Sequence, residues 1–288
     1  MPRLFWLRVP LRQGAIVAAF WLFAVQVAPA QAQAPSIANL RPGGAQPGKT
    51  VDVTLTGGNL SGAGALWTSF PATATLADGI ENNGTQADKV VFRLEVPADA
   101  PLGIHGVRVA APGGVSNLKL FVVDDLSSVA EAEPNNSPGE PQEITAPVAV
   151  DGTVESEQLD YFKFHVTAGQ RLTFEVLGRR IGSPLDPVIR LLDLRGRELA
   201  YSDDEDGIGS DCRLAHQFAE EGDYLLELRY IRYQGGGNYT YRLRVGDFPG
   251  LTVPYPMGGK RGTHIAVEFA GDAIGEVPQS LVTVPDEP

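Results

Sequence analysis

Glu131, Glu133 and Asn135 occupy alternate positions of a short stretch, Glu131-Ala132-Glu133-Pro134-Asn135-Asn136-Ser137, that has almost no apolar content. In an extended backbone alternate side chains leave the same side, so these three would aim their oxygens in one direction. A donor set of oxygen alone suits a hard divalent cation, and Ca²⁺ takes six to eight such ligands. A further carboxylate, Asp160, opens the alternating stretch Asp160-Tyr161-Phe162-Lys163-Phe164. The pattern predicts a calcium-organised, non-catalytic β-module. The competing reading is a solvated acidic linker, with Asp160 capping a turn.

Other constellations offer less. Asp203-Asp204-Glu205-Asp206-Gly207 invites comparison with the calcium loop of the EF-hand. Placing Gly207 at position six leaves Arg213 where the bidentate acid belongs, so a solvated hairpin tip is the better reading. The four histidines are scattered: His105 shares a strand face with Val107 and Val109 and should be a satisfied, buried ring, while His165 should face solvent beside Lys163. No H-E-x-x-H, C-x-x-C or G-x-S-x-G occurs, which removes the common zinc and serine-hydrolase signatures. Cys212 is the lone cysteine, so no intrachain disulfide can form, and its acidic neighbours disfavour a thiolate. Tyr230, Arg232 and Tyr233 could meet a partner, but core or ordinary surface is the better reading.

The elements that must position these residues are strands. Apolar residues alternate with polar ones in short runs, such as Val51-Val53-Leu55, Val90-Phe92-Leu94-Val96, Phe162-Phe164-Val166 and Tyr241-Leu243-Val245, separated by Gly, Pro, Asn and Asp clusters. Lys163, Glu175, Glu227, Arg242 and Arg244 fall on the opposite faces of such runs. The continuously apolar Val188–Leu192 run should be a central strand. Nothing has a sustained helical period, and the fold class is all-β, with tandem β-sandwich domains.

Residues 1–32 read as a cleaved export signal: Arg3, Arg8 and Arg12 precede an apolar run that ends in small residues, with cleavage after Ala30 or Ala32. Their removal leaves 20 basic against 35 acidic residues, a formal charge of −15. Such a chain repels nucleic acid and anionic membranes. Residues 33–125 make a first sandwich, 124–147 reads as an interdomain linker, and 126–248 makes a second sandwich. Residues 249–288 form a partial third unit, because Gly48–Gly57 matches Gly262–Gly271 at a constant offset, which Pro42 and Pro256 keep. About 40 residues cannot close a sandwich alone, so the unit is expected to continue in a longer array; otherwise it must pack on a neighbour or remain loosely ordered.

On these residues the second unit resembles the bacterial pre-peptidase C-terminal domain. The matching features are Glu131-x-Glu133-Pro134-Asn135-Asn136, the Asp160–Phe164 run, Gly169-Gln170, Ser183-Pro184-Leu185-Asp186-Pro187, Gly222-Asp223-Tyr224 and the closing Gly237-Asn238-Tyr239 segment with its Tyr241-x-Leu243-x-Val245 strand. The resemblance covers residues 131–248 and implies a jelly-roll-like sandwich found on secreted hydrolases outside the catalytic domain. The similar collagen-binding domains of clostridial collagenases imply calcium ligands at Glu131, Glu133, Asn135, Asn136, Glu157 and Asp160. Asn136 stands in for an acid there and Glu157 for a shorter one. The first unit looks like an immunoglobulin-like domain of the kind shared by plexins and transcription factors, through Pro35-Ser36-Ile37 and the Gly48–Gly57 strand. The order of units resembles the front of large exported planctomycete proteins. The resemblance implies a secreted, periplasmic or surface module without catalysis, contacting extracellular protein or polysaccharide and not inserting in a membrane after signal cleavage. The alternative is the accessory part of a secreted peptidase or other hydrolase whose catalytic domain lies outside this chain.

Overall fold

Alternation sets the first layer: in the strand Thr50–Gly58 the side chains of Val53 and Leu55 are fully buried while their neighbours are not, as one-sided burial requires. The computed structural model describes residues 33–272 and 279–286. The expected export signal lies outside them.

The strand Thr50–Gly58 pairs with Ser36–Arg41 on one side and Lys89–Glu95 on the other, and Thr73–Leu76 completes a four-stranded sheet. The facing sheet runs Gly44–Ala45, Lys119–Val123, Gly103–Ala111, Ala65–Thr68. Val53, Leu55, Phe92 and Leu94 meet Val107, Val109, Phe121 and Val123 between the layers. His105 is half-buried rather than buried: it lies against Phe70, and its Nε2 is 2.8 Å from the Pro101 carbonyl.

Two five-stranded sheets form the second sandwich. One runs Ser127–Ala130, Val148–Thr153, Thr240–Gly246, Arg171–Leu177, Arg213–Gln217. The other runs Gln142–Glu143, Asp160–Val166, Gly222–Tyr230, Pro187–Asp193, Glu198–Ser202. Phe162, Phe164, Phe174, Phe218, Leu226 and Leu243 fill the space between. The expected Val188–Leu192 strand lies inside its sheet, and Gly196 N–H bonds back to the Asp193 carbonyl in the turn that follows. Among the described residues a 3-10 turn at Arg179–Ile181 is the helical element, and no helix is long and apolar enough to cross a membrane.

The segment read as a loose linker is built into the fold. Asp124 is buried, and Ser127–Ala130 adds a parallel strand to Val148–Thr153. The cause is Arg242, which the alternation had turned outward and which is fully buried instead. Its Nε and Nη2 each lie 3.0 Å from Asp124, its Nη1 donates to Asp151 at 2.8 Å, and Nη2 also reaches the Ser128 hydroxyl at 2.8 Å. Burial works against its charge, but the carboxylates of Asp151 and Asp124 raise its pKa. Gly44 lets the first sandwich approach, since a Cβ there would stand 2.8 Å from the Arg242 guanidinium carbon and 2.4 Å from the Val122 carbonyl.

Gly250–Tyr255, His264–Asp272 and Ser280–Thr283 form a three-stranded sheet. Its first pairing copies that of the first sandwich residue by residue. Ile37 pairs with Gly57 and Leu251 with Gly271; Asn39 pairs with Thr56 and Val253 with Ala270; both ladders slip at the same place.

Candidate metal centre

Strand pairing delivers Glu131. The parallel ladder ends at Ala130, and the Glu131 N–H extends it by bonding to the Asp151 carbonyl. Its Oε1 then accepts from the Tyr241 hydroxyl at 2.5 Å and from Asn135 Nδ2 at 3.2 Å, and its Oε2 accepts from the Thr153 N–H at 2.8 Å. Gly152 makes the space: a Cβ there would fall 2.4 Å from the Tyr241 hydroxyl oxygen and 2.8 Å from Glu131 Oε2. The Pro134 turn brings Glu133 round, where its Oε2 accepts from the Asn135 N–H and from Asn136 Nδ2, both at 3.1 Å. The Asn135 carbonyl takes the Tyr161 N–H at 2.8 Å, which ties the segment to the start of the Asp160–Val166 strand.

Asp160 is fully buried there, and neither of its carboxylate oxygens has a hydrogen-bond partner. The single hydroxyl proton of Tyr241 goes to Glu131. Carboxylate oxygens of Glu131, Glu133 and Asp160 lie within 4.8 Å of one another. Asn135 and Asn136 each spend their amide nitrogen on a glutamate and leave a buried Oδ1 unpartnered. Burial first, then the Glu131 and Glu133 charges, push the Asp160 carboxyl up to about 9. Buried unpartnered oxygens are expensive, and converging carboxylates repel unless a proton or cation intervenes. Three converging carboxylates, without nitrogen or sulfur, fit a hard cation such as Ca²⁺.

Of the six residues implied by resemblance, Glu131, Glu133 and Asp160 bring carboxylate oxygens together, Asn135 and Asn136 donate to the two glutamates, and Glu157 is not among the converging carboxylates. It is exposed, in a left-handed backbone conformation with φ 62°, and its N–H is held by the Tyr233 carbonyl.

A second acidic group forms where the sequence suggested a solvated tip. Asp186, Asp203 and Asp204 present oxygens within 4.8 Å, and one oxygen each of Asp186 and Asp203 is buried and unpartnered. Burial, and after it Asp204 and Asp203, raise the Asp186 pKa. Ser183-Pro184-Leu185-Asp186-Pro187 carried the signal, but nothing in spacing links it to residue 203. Cys212 is a core residue whose thiol burial pushes well up, as its neighbours suggested. His165 is exposed, with its Nδ1 2.8 Å from Asp223.

No family model matches the chain. A probable subtilase-type serine protease of Deinococcus radiodurans is 30% identical over 208 residues, which is 65% of this chain and 27% of that protein. The chain thus spans about a quarter of the length of this curated relative. Among solved structures, the pre-peptidase C-terminal domain of a Bacillus anthracis collagenase is 21% identical with a TM-score of 0.31, covering 38% of this chain and 99% of that one. The glucan-utilisation protein SGBP-B of Bacteroides ovatus, solved with a mixed-linkage heptasaccharide, is 12% identical over 74% of this chain and 75% of its own, with a TM-score of 0.25.

Proposed function

We propose that this chain is a calcium-stabilised, non-catalytic module of an exported protein, which holds or spaces other parts while contacting extracellular protein or polysaccharide. In this reading residues 33–125 are an immunoglobulin-like unit, 126–248 a pre-peptidase C-terminal-type unit and 249–288 a partial copy of the first. The observation that carries it is Asp160: a fully buried carboxylate without a donor, facing two more carboxylates. Glu131, Glu133, Asn135, Asn136 and Asp160 would hold the ion. Calcium would supply positive charge, fixing the segment that joins the sandwiches to the strand Asp160–Val166. Isothermal titration of the full chain with calcium should give heat, and calcium at about 100 times its Kd should raise the melting temperature by about 5–10 °C. Asp160→Asn should abolish the heat. No heat, together with an unchanged melting temperature in chelator, removes the metal from this reading.

A second reading is favoured by the alignment with the Deinococcus protease: the chain is the accessory part of an exported peptidase, with catalysis on a domain outside it. The chain by itself should then neither hydrolyse casein nor react with a fluorophosphonate probe, which labels an activated serine. Labelling would place a nucleophile within these residues and defeat both readings.

A further inference from the structure

We infer that the outward face of the first sandwich, around Trp67, is a binding platform for a neutral polysaccharide; this rests on the reading of the chain as an exported binding module and adds the site. Trp67 lies on the edge strand Ala65–Thr68, directly opposite Arg108 on Gly103–Ala111, and is 54% exposed. Val115, Leu118 and Ile104 are also exposed large apolar side chains. Patches of this kind on a soluble protein mark contact sites. Gly106 keeps the face flat: a Cβ there would stand 2.9 Å from Leu118 Cδ1 and 3.6 Å from Trp67 Cζ3. Trp67, Arg108, Ala110 and Val115 border an open hollow of about 540 Å³.

Charge selects the occupant. The chain carries 35 acidic against 23 basic residues, so its field disfavours polyanions, yet none of the residues bordering the hollow is acidic. Arg108 is the one charge there. Its Nη1 donates to the Ser116 carbonyl at 2.8 Å, and its other N–H groups, without a partner among the described residues, can donate to hydroxyl oxygens. A pyranose has an apolar C–H face and a hydroxyl edge. A rigid indole offers a large amphipathic surface to the first at little entropic cost, and the guanidinium serves the second. The platform is also continuous with the contact between the sandwiches. Ile104 and Val122 belong to the same sheet, and with Asp124, Asp125, Glu175 and Arg180 they line a cleft of about 290 Å³ in which three carboxylates further disfavour a polyanion. A linear chain of sugars could therefore run from Trp67 toward that cleft.

The test is affinity electrophoresis of the full chain through gels containing xyloglucan, hydroxyethylcellulose or polygalacturonate, with tryptophan emission recorded in parallel. Trp6 and Trp21 are the other tryptophans, so subtracting the W67Y spectrum isolates Trp67. A neutral glycan should retard the protein and shift Trp67 emission. Trp67→Ala should weaken binding about tenfold, about 1.4 kcal/mol, and Trp67→Tyr should keep most of it. Equal retardation by polygalacturonate, or Trp67 emission that responds to a protein and to no glycan, overturns the proposal. Glycan binding unchanged in Trp67→Ala overturns the platform and leaves a binding module with its site elsewhere. Absence of all glycan binding while calcium heat persists overturns the platform and leaves the calcium reading standing.

Discussion

Replacing Arg242 by methionine should cost about 3–5 kcal/mol, because removing one partner of a buried ion cluster leaves the others charged and unsolvated. Here Asp151 loses its cation and Asp124 keeps only the longer contact to Arg244 Nε at 3.5 Å. Burial already pushes the Asp151 pKa up against the pull of Arg242, so in the variant it should bind a proton. At about 2–4 °C per kcal/mol for a chain of this size, the melting temperature should fall by roughly 6–20 °C at neutral pH. The deficit should narrow in acid, where Asp151 is neutral. Adding Asp124→Asn and Asp151→Asn should recover part of the loss. A calorimetric scan in which Arg242→Met melts within a degree or two of the parent would show that the cluster stabilises little and that apolar contacts hold the joint.

The second large effect is a pH slope that calcium removes. In chelator the folded chain holds Asp160 with a pKa of about 9 against an ordinary 3.8. A carboxyl raised on folding favours the folded state fully below the unfolded value, and that contribution is lost as pH rises through the folded one, because the unfolded chain ionises first. The melting temperature of the metal-free protein should therefore decline from about pH 4 to about pH 9. Calcium should flatten the decline and release protons as it binds at neutral pH, since the ligand must be ionised. A melting temperature in chelator that is level or rising across this window would mean that Asp160 is already compensated by the protein.

Local pattern accounts for what the sequence disclosed. Alternation located the strands around Val53, Phe92, Phe164 and Leu243 because side-chain direction in a strand has period two. The match of Gly48–Gly57 with Gly262–Gly271 pointed to a second copy of the opening strands, while the slip that both ladders share between Ile37 and Asn39 and between Leu251 and Val253 carried no signal in the sequence. Glu131, Glu133 and Asn135 were legible because their convergence depends on neighbouring backbone. Long-range packing hid the rest. Arg242 sits where alternation predicts a solvent-facing side chain, and its burial depends on Gly43-Gly44 and Asp124, more than a hundred residues away. Asp186 meets Asp203 and Asp204 only because the strand between them folds back. Glu157 occupied the right place in the motif, but it sits exposed in a left-handed backbone conformation and is not among the converging carboxylates.

Strand directions also decide how the molecule would carry a mechanical load. Ser127–Ala130 lies parallel to Val148–Thr153, which lies antiparallel to the closing strand Thr240–Gly246. The polypeptide thus goes into the second sandwich and comes out of it at one end; a Cβ at Gly246 would stand 3.5 Å from Leu126. Tension between the first and third units would pass through this root and bypass the length of the sandwich, which would hang from the strained chain as a pendant. The force would fall on the clamp of Arg242, Asp124 and Asp151, and beyond it would unzip the sheet from its root, one rung at a time, instead of shearing all rungs together.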